Sequence, residues 1–472
     1  MEPLCLQMSA LTDSHFETVK KAVETVFSDV GFVVNHEVIL ERFDQAGGSV
    51  DYDRKLVRLP AALLWELAGQ APRQYRLTGM NGDSYDIGTG AVFKGAIVTD
   101  PIIADYPSGD RRKPYLHDVV RNTRIIQERS DVCFVGLMDY PVADDESPAS
   151  RYRAWEAHLL NHAKPYAVYA TSYDSFLEWL ALGRLIKRGD ELKGSGLFSV
   201  AIAVLSPLTL TRENCNMLIE SIKYDFPLIP TVCPMAGSTS PYTFAGTLVQ
   251  SIAENLIVLC AAQVMNPGNP FLFHIGPSVT DMRSGRAQYY TVDKTLWKMA
   301  GVSFAKRIGL PAAAETGGAY SSRYDMQSGA EGMLMTLSAL MSGADVLCGA
   351  GSCLNANGLS SEFILTHYAL LDAAAHLKKG YPMSELEQSV EAIREQGCGG
   401  NFLTDALTVE HLSDSEFFAS PLFDETGEAG GGMTMLESAH AEAQRIDESF
   451  RSPVPEEVAE ALRGYFAFRI EN

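Results

Sequence analysis

Pro234-Met-Ala-Gly-Ser-Thr-Ser-Pro241 follows the apolar run 228–232 and precedes a long helical segment, residues 243–265. A second short apolar run, 271–275, leads through His274-Ile-Gly-Pro277 to an arginine-bearing polar loop at 280–290. Another helical pattern reaches the run 311–315, the turn Thr316-Gly-Gly-Ala-Tyr320, one more helix and the run 346–349. Apolar run, small-residue loop, helix, repeated, is the grammar of βα units.

The same grammar extends upstream. Runs at 96–99, 132–138, 166–170 and 197–204 each precede a helical pattern, near 117–128, 149–161, 175–186 and 212–224. With the four downstream runs they make eight units, and the last helix, 360–378, carries Ser360 as its cap. Short, continuously apolar strands are buried on both faces, as a parallel sheet requires. Eight in succession predict an α/β fold of the closed (β/α)8 TIM barrel type.

The flanks read differently. Residues 1–95 form an N-terminal helical and hairpin cap, in which Asp13 or Ser14 caps the first helix and Phe16, Val19, Val23 and Phe27 line one face. Residues 96–380 are the barrel, and 381–472 a C-terminal helical extension packed on it. The chain has 472 residues, 46% hydrophobic, with a formal charge of -21. That charge argues against nucleic acid or an anionic membrane as partner. The start lacks a basic segment followed by an apolar one, so a cytoplasmic location is expected. The segment 243–265 is interrupted by Gln250, Ser251, Glu254, Asn255 and Gln263 and reads as a buried helix, not a membrane span. Eight cysteines form no CxxC pair and are expected as small buried residues.

In a barrel, function gathers where the strands end in loops over one mouth. That prior selects Asp100, Asp139 with Tyr140, Thr171 with Ser172, Ser206, Met235, His274, Glu315 and Gly349. Each has a structural alternative: His274 can be a satisfied core histidine, and Asp139 and Glu315 can bind loop amides. Two loops add Asp281, Arg283, Arg286, Tyr289 and Tyr290, then Tyr320, Arg323 and Tyr324. Tyrosines can form a face for a quaternary ammonium group, and arginine can clamp a carboxylate. The phosphate loops, HExxH and GxSxG are all missing, so the reactive agent is expected from outside the chain.

The block 234–241, Ala245-Gly-Thr-Leu-Val, Ala253-Glu-Asn-Leu and Gln263-Val-Met-Asn-Pro-Gly268 resemble the trimethylamine:corrinoid methyltransferase family. So do Ser322-Arg-Tyr-Asp-Met-Gln327 with Glu331, Gly343-Ala-Asp, Gly349-Ala-Gly351 and Asn401-Phe-Leu-Thr404. The similarity runs from about residue 10 to 465. It implies a barrel that moves a methyl group from an amine to the cobalt of a separate corrinoid protein, with no corrinoid permanently bound and a homo-oligomeric assembly. Trimethylamine enzymes of this family carry pyrrolysine; every residue here is one of the ordinary twenty. The chain therefore resembles the branch acting on quaternary amines such as glycine betaine, proline betaine or carnitine. A quaternary nitrogen leaves as a neutral amine, so the protein has only to orient the substrate and exclude water.

On that resemblance Tyr140, Tyr289, Tyr320 and Tyr324 are candidate walls, and Glu254, Asp139 or Glu315 a source of negative potential. Arg323, Arg286 or His274 would hold a substrate carboxylate, and Met235 and Gly349 would face the corrinoid. Glu254 can equally be paired inside its helix, and Asp325 can cap one. Two rivals stay open: a zinc-dependent barrel methyltransferase using His274, Cys233 and Cys348, and a non-catalytic betaine-binding protein.

Overall fold

Parallel pairing dominates the centre of the chain, and it follows from the short, twice-buried apolar runs. The structure, a computed structural model, describes every residue except 1–5, 7, 9, 140–141, 189–190, 413–416, 428–431 and 472. Seven strands form one sheet: β1 (Phe93–Ile97), β2 (Val132–Gly136), β3 (Tyr166–Val168), β4 (Phe198–Ala203), β5 (Leu228–Thr231), β6 (Ala313–Glu315) and β7 (Val346–Cys348). Their order is β5-β4-β3-β2-β1-β7-β6, with every pair parallel. The chain is thus of the α/β class. The eight helices of the repeating units are α1 (Leu116–Gln127), α2 (Ser150–Leu159), α3 (Tyr173–Lys187), α4 (Arg212–Ile222), α5 (Phe244–Met265), α6 (Asp293–Arg307), α7 (Met326–Met341) and α8 (Ser361–Lys379).

Two local findings depart from the sequence expectation. β1 begins at Phe93, three residues before the expected start at 96, because Lys94 lies in the strand with its ammonium paired to Asp131. A lysine tied to a carboxylate on the next strand's lead-in hides the apolar pattern. The run 271–275 is not a full strand. Phe271 bridges Leu228 of β5 and Phe273 bridges Ala312 beside β6, both parallel, so the two edges of the sheet share one neighbour. The ladder to β5 is interrupted at Pro230, which has no N–H to give. It resumes at Gly276, whose N–H donates to the Val232 carbonyl at 2.8 Å.

Around the sheet the flanks are built much as their patterns suggest. The first helix, Asp13–Thr25, is capped by Thr12 instead of Asp13 or Ser14, since the Thr12 hydroxyl accepts from the His15 N–H at 3.2 Å. Val23 and Phe27 are fully buried. Tyr75–Thr78 and Ser84–Ile87 form the expected hairpin. Three helices at the end, Leu386–Gln396, Met435–Ser449 and Glu456–Glu471, follow the amphipathic pattern, with Ala439, Ala443, Ile446, Leu462 and Phe466 as buried members. By length and composition α5 could cross a membrane, yet 78% of its most apolar window is buried inside the protein. Its polar residues Ser251, Glu254, Asn255 and Gln263 are buried with it, each hydrogen-bonded.

Candidate active site

At the carboxyl ends of the strands lies a cavity of about 220 Å³. Its walls are aromatic: Phe134 from β2, Tyr169 after β3, and Tyr289 and Tyr290 from the loop after the bridged run. Each ring stands where a glycine leaves room. A Cβ on Gly95 would come within 2.4 Å of the Phe134 ring, and one on Gly136 within 2.7 Å of Tyr169. The same holds for Gly276 against the Tyr289 hydroxyl at 2.7 Å and Gly318 against the Tyr290 ring at 2.5 Å. Met138, Cys233 and Cys348 add sulfur to the lining. Polarizable, largely apolar walls of this kind suit a soft cation or an apolar head.

Charge enters through Glu315, the last residue of β6. Its carboxylate is 3.2 Å from Lys294 Nζ and 2.9 Å from Lys298 Nζ, and it accepts a short hydrogen bond from the Tyr289 hydroxyl. Burial alone would raise the Glu315 pKa, but the two ammonium groups outweigh it and hold the carboxyl well below its usual range. Burial in turn lowers Lys294 to about 8 and also lowers Lys298. Both lysines come from one face of α6, four residues apart, and are 0% and 1% exposed. Each also donates to a backbone carbonyl, Lys294 to that of Pro277 at 3.2 Å and Lys298 to that of Glu315 at 3.1 Å. Lys294 Nζ also covers one face of the Tyr289 ring, 3.0 Å from its centroid.

His274 lines the same cavity. Burial lowers its pKa, so the imidazole is neutral. One ring nitrogen donates to the Pro230 carbonyl, the group left over where the ladder breaks, and Nε2 is buried with no partner among the described residues. Asp100, just past β1, supplies a second carboxyl to the wall, and burial raises it to about 7.

Of the residues expected from sequence, the cavity brings together Asp100, His274, Tyr289, Tyr290, Glu315 and Gly349. The others lie elsewhere. Asp139 accepts from Trp155 Nε1, Thr171 and Ser175 at 3.1, 3.2 and 2.7 Å, and so ties β2 to the start of α3. Glu254 is fully buried and takes Ser206, the Leu208 N–H and Gln250 at 2.6, 3.0 and 2.8 Å, so its paired alternative is the one observed. Arg286 and Arg323 are exposed on their loops, outside the cavity lining. Tyr320 is 44% exposed, and Tyr324 donates to the Ala104 carbonyl at 2.8 Å while packing on Tyr106 and Phe363. Met235 is half-buried, its N–H held by Thr239, and is not part of the lining. Asp325 caps α7, accepting from the Ser328 N–H at 3.1 Å. Tyr140 lies outside the described residues. Sequence reasoning did not select Phe134, Tyr169, Lys294 or Lys298; the signal for the rings was an adjacent glycine inside a strand. His274, Cys233 and Cys348 all line the cavity, but among the described residues no three His, Cys, Asp or Glu side chains are grouped to hold a metal ion.

A family model described as trimethylamine methyltransferase (MTTB) matches residues 4–472. Trimethylamine methyltransferase MttB of Desulfitobacterium hafniense (strain DSM 10664 / DCB-2) is 25% identical over 97% of this chain and 93% of its own length. Glycine betaine methyltransferase of Desulfitobacterium hafniense (strain Y51) is 24% identical over 99% and 98%. Proline betaine:corrinoid methyltransferase of Eubacterium limosum is 23% identical over 85% and 87%. Among solved structures, monomethylamine methyltransferase (MtmB) of Methanosarcina barkeri superimposes with a TM-score of 0.53 at 12% identity, covering 98% of this chain and 88% of that one. That likeness bears on the fold alone.

Proposed function

The chain belongs to the trimethylamine methyltransferase family, and on that premise we propose that it moves a methyl group from a quaternary amine to the cobalt of a corrinoid carried by a separate protein. The observation that carries the reading is the cavity: four aromatic rings, each seated on a glycine, beside a carboxylate kept ionised by two buried lysines. A trimethylammonium head gains from aromatic faces, about 0.5–2 kcal/mol per favourable contact. It also gains from a nearby negative charge in a low-dielectric wall.

In this reading the ring of eight runs is a closed barrel, with the bridged run 271–275 as its sixth member and residues 1–95 and 381–472 packed outside it. The bridges from Leu228 to Phe271 and from Phe273 to Ala312 support that closure. The corrinoid supplies reduced cobalt as the nucleophile and stays with its own protein. Toward a flat macrocycle this chain offers Gly349 in the cavity wall and exposed apolar side chains. On the loops after β5 and after the bridged run, Tyr242 and Met282, 66% and 65% exposed, both pack on Gly237. The chain's own residues do the rest. Phe134, Tyr169 and Tyr290 enclose the head and exclude water, and the Tyr289 hydroxyl fixes the Glu315 carboxylate. The nitrogen departs as a neutral tertiary amine, so no proton has to be delivered to it. Cytoplasmic location and self-association belong to the same proposal. The exposed stripe Leu386, Val390 and Ile393 supports the second.

The test is a panel of quaternary and uncharged amines incubated with the purified protein and a reduced corrinoid, watching the corrinoid spectrum. Methylation from at least one quaternary amine is expected. Methylation from uncharged amines alone contradicts the proposal.

A further inference from the structure

The cavity is lopsided in its charges. Asp100 and Glu315 each bring a carboxyl to the wall, and His274 adds a bare ring nitrogen that can only accept. No lysine or arginine lines it among the described residues, which include every lysine and arginine of the chain. Lys294 and Lys298 stand behind Glu315, closed off from the cavity, with donors turned to Glu315 and to two backbone carbonyls. They keep that carboxylate charged without offering an N–H to a ligand. Arg286 and Arg323, the side chains suited to clamp a carboxylate, are on exposed loops outside the lining.

Resting on the quaternary-amine reading above, we infer that the substrate is a quaternary ammonium ion whose tail carries no acidic group, with Asp100 as the counter-charge that sets this specificity. A betaine would place its own carboxylate in a confined space already holding two others, with no donor fork to receive it. A hydroxylated tail meets no such cost, because its O–H can donate to His274 Nε2. The Asp100 carboxyl is available to a ligand, since among the described residues no hydrogen bond or ion pair engages it and only burial acts on it. The groups facing it are Tyr290 and Cys353, both kept neutral by burial. Glu315, His274, Cys233 and Cys348 lie further along the wall.

Binding should therefore be linked to a proton. Burial holds Asp100 at about 7, so the empty cavity is largely protonated at pH 6.5, and a bound cation draws the carboxyl into its ionised form. The experiment is calorimetric titration of the full chain with choline, tetramethylammonium and glycine betaine, at pH 6.5 and 8, in two buffers of different ionisation enthalpy. The same titrations are run on Asp100→Asn. Choline and tetramethylammonium are expected to bind at least about tenfold tighter than glycine betaine and to release a measurable fraction of a proton at pH 6.5. At pH 8 the release should nearly vanish. Asp100→Asn is expected to lose at least about tenfold for the two cations and less than about twofold for the betaine.

Glycine betaine binding as tightly as choline overturns the inference and leaves the quaternary-amine reading standing. An unchanged preference in Asp100→Asn, or cation binding with no proton release at pH 6.5, overturns it too. The proton count is read on the unaltered chain, so a poorly folding variant does not rescue the inference. If none of the three binds and no quaternary amine methylates the corrinoid, the proposed function falls and the inference with it.

Discussion

Two buried polar clusters occupy opposite ends of the same sheet, and they solve burial in opposite ways. At the amino end, ahead of β3, the Lys164 N–H donates to His162 Nδ1 at 3.2 Å, which leaves the His162 proton on Nε2. That proton faces His158 Nε2 at 3.2 Å, His158 Nδ1 then donates to the Thr123 hydroxyl at 3.0 Å, and Thr123 donates to the Val119 carbonyl at 2.6 Å. The chain of donors fixes both tautomers and carries no charge. At the carboxyl end Glu315, Lys294 and Lys298 keep full charges in an equally buried place. Neutral networks are the economical way to fill a core, while buried ions cost desolvation that their mutual attraction only partly offsets. Of these two clusters, the charged one is the one that borders the cavity.

The largest effect expected at the charged end comes from Glu315→Gln, which strands two buried ammonium groups. It should lower unfolding free energy by about 3–5 kcal/mol in a denaturant titration and abolish methyl transfer. The triple variant Glu315→Leu, Lys294→Met and Lys298→Met sharpens the contrast. Stability should return while activity stays lost. Recovery of activity would break the claim that the charge serves the site.

The neutral end should respond to acid. Burial lowers His158 to about 3 and pushes His162 down as well, with the His158 ring adding to the effect on His162. Below the unfolded value near 6.5 the unfolded chain binds protons that the folded one refuses. The stability these residues contribute is thus present above about pH 6.5 and lost as pH falls toward 3. Each histidine adds a loss of up to about 2 kcal/mol between pH 6.5 and 5. Replacing both by leucine should flatten that part of the pH–stability curve. An unchanged slope would show that the network is not neutral.

Smaller effects belong to single walls of the cavity. Tyr290→Leu should reduce kcat/KM for a quaternary amine by about 2–30-fold, the span of one cation–π contact. Smallest of all, Arg323→Ala and Arg286→Ala should change kcat/KM by less than about twofold, since both side chains are exposed and outside the lining.

Much of the fold was legible because seven of the eight expected runs reappear as paired strands, and the other keeps its place by bridges. The exceptions have local causes: Lys94 masks the start of β1 through its pair with Asp131, and Pro230 thins the ladder beside 271–275. The site was legible where a strand end names a residue, as with Asp100, His274, Glu315 and Gly349, and in the loop that carries Tyr289 and Tyr290. Asp139 has the same position in the pattern, yet it is taken up by Trp155 and Ser175, and nothing in one-dimensional spacing separates the two fates. Phe134 and Tyr169 sit in runs where an aromatic reads as ordinary core. Lys294 and Lys298 read as the solvated face of a helix until the fold turns that face onto Glu315.

The most direct measurement is a single-turnover reaction of the purified protein with a reduced corrinoid protein and an excess of one amine at a time, followed by the corrinoid's absorbance. The account predicts a methylated corrinoid and one equivalent of tertiary amine from a quaternary ammonium ion, and neither product when Glu315→Gln is used. Methyl transfer from uncharged amines alone, or tertiary amine released at the same rate without any corrinoid, would contradict it.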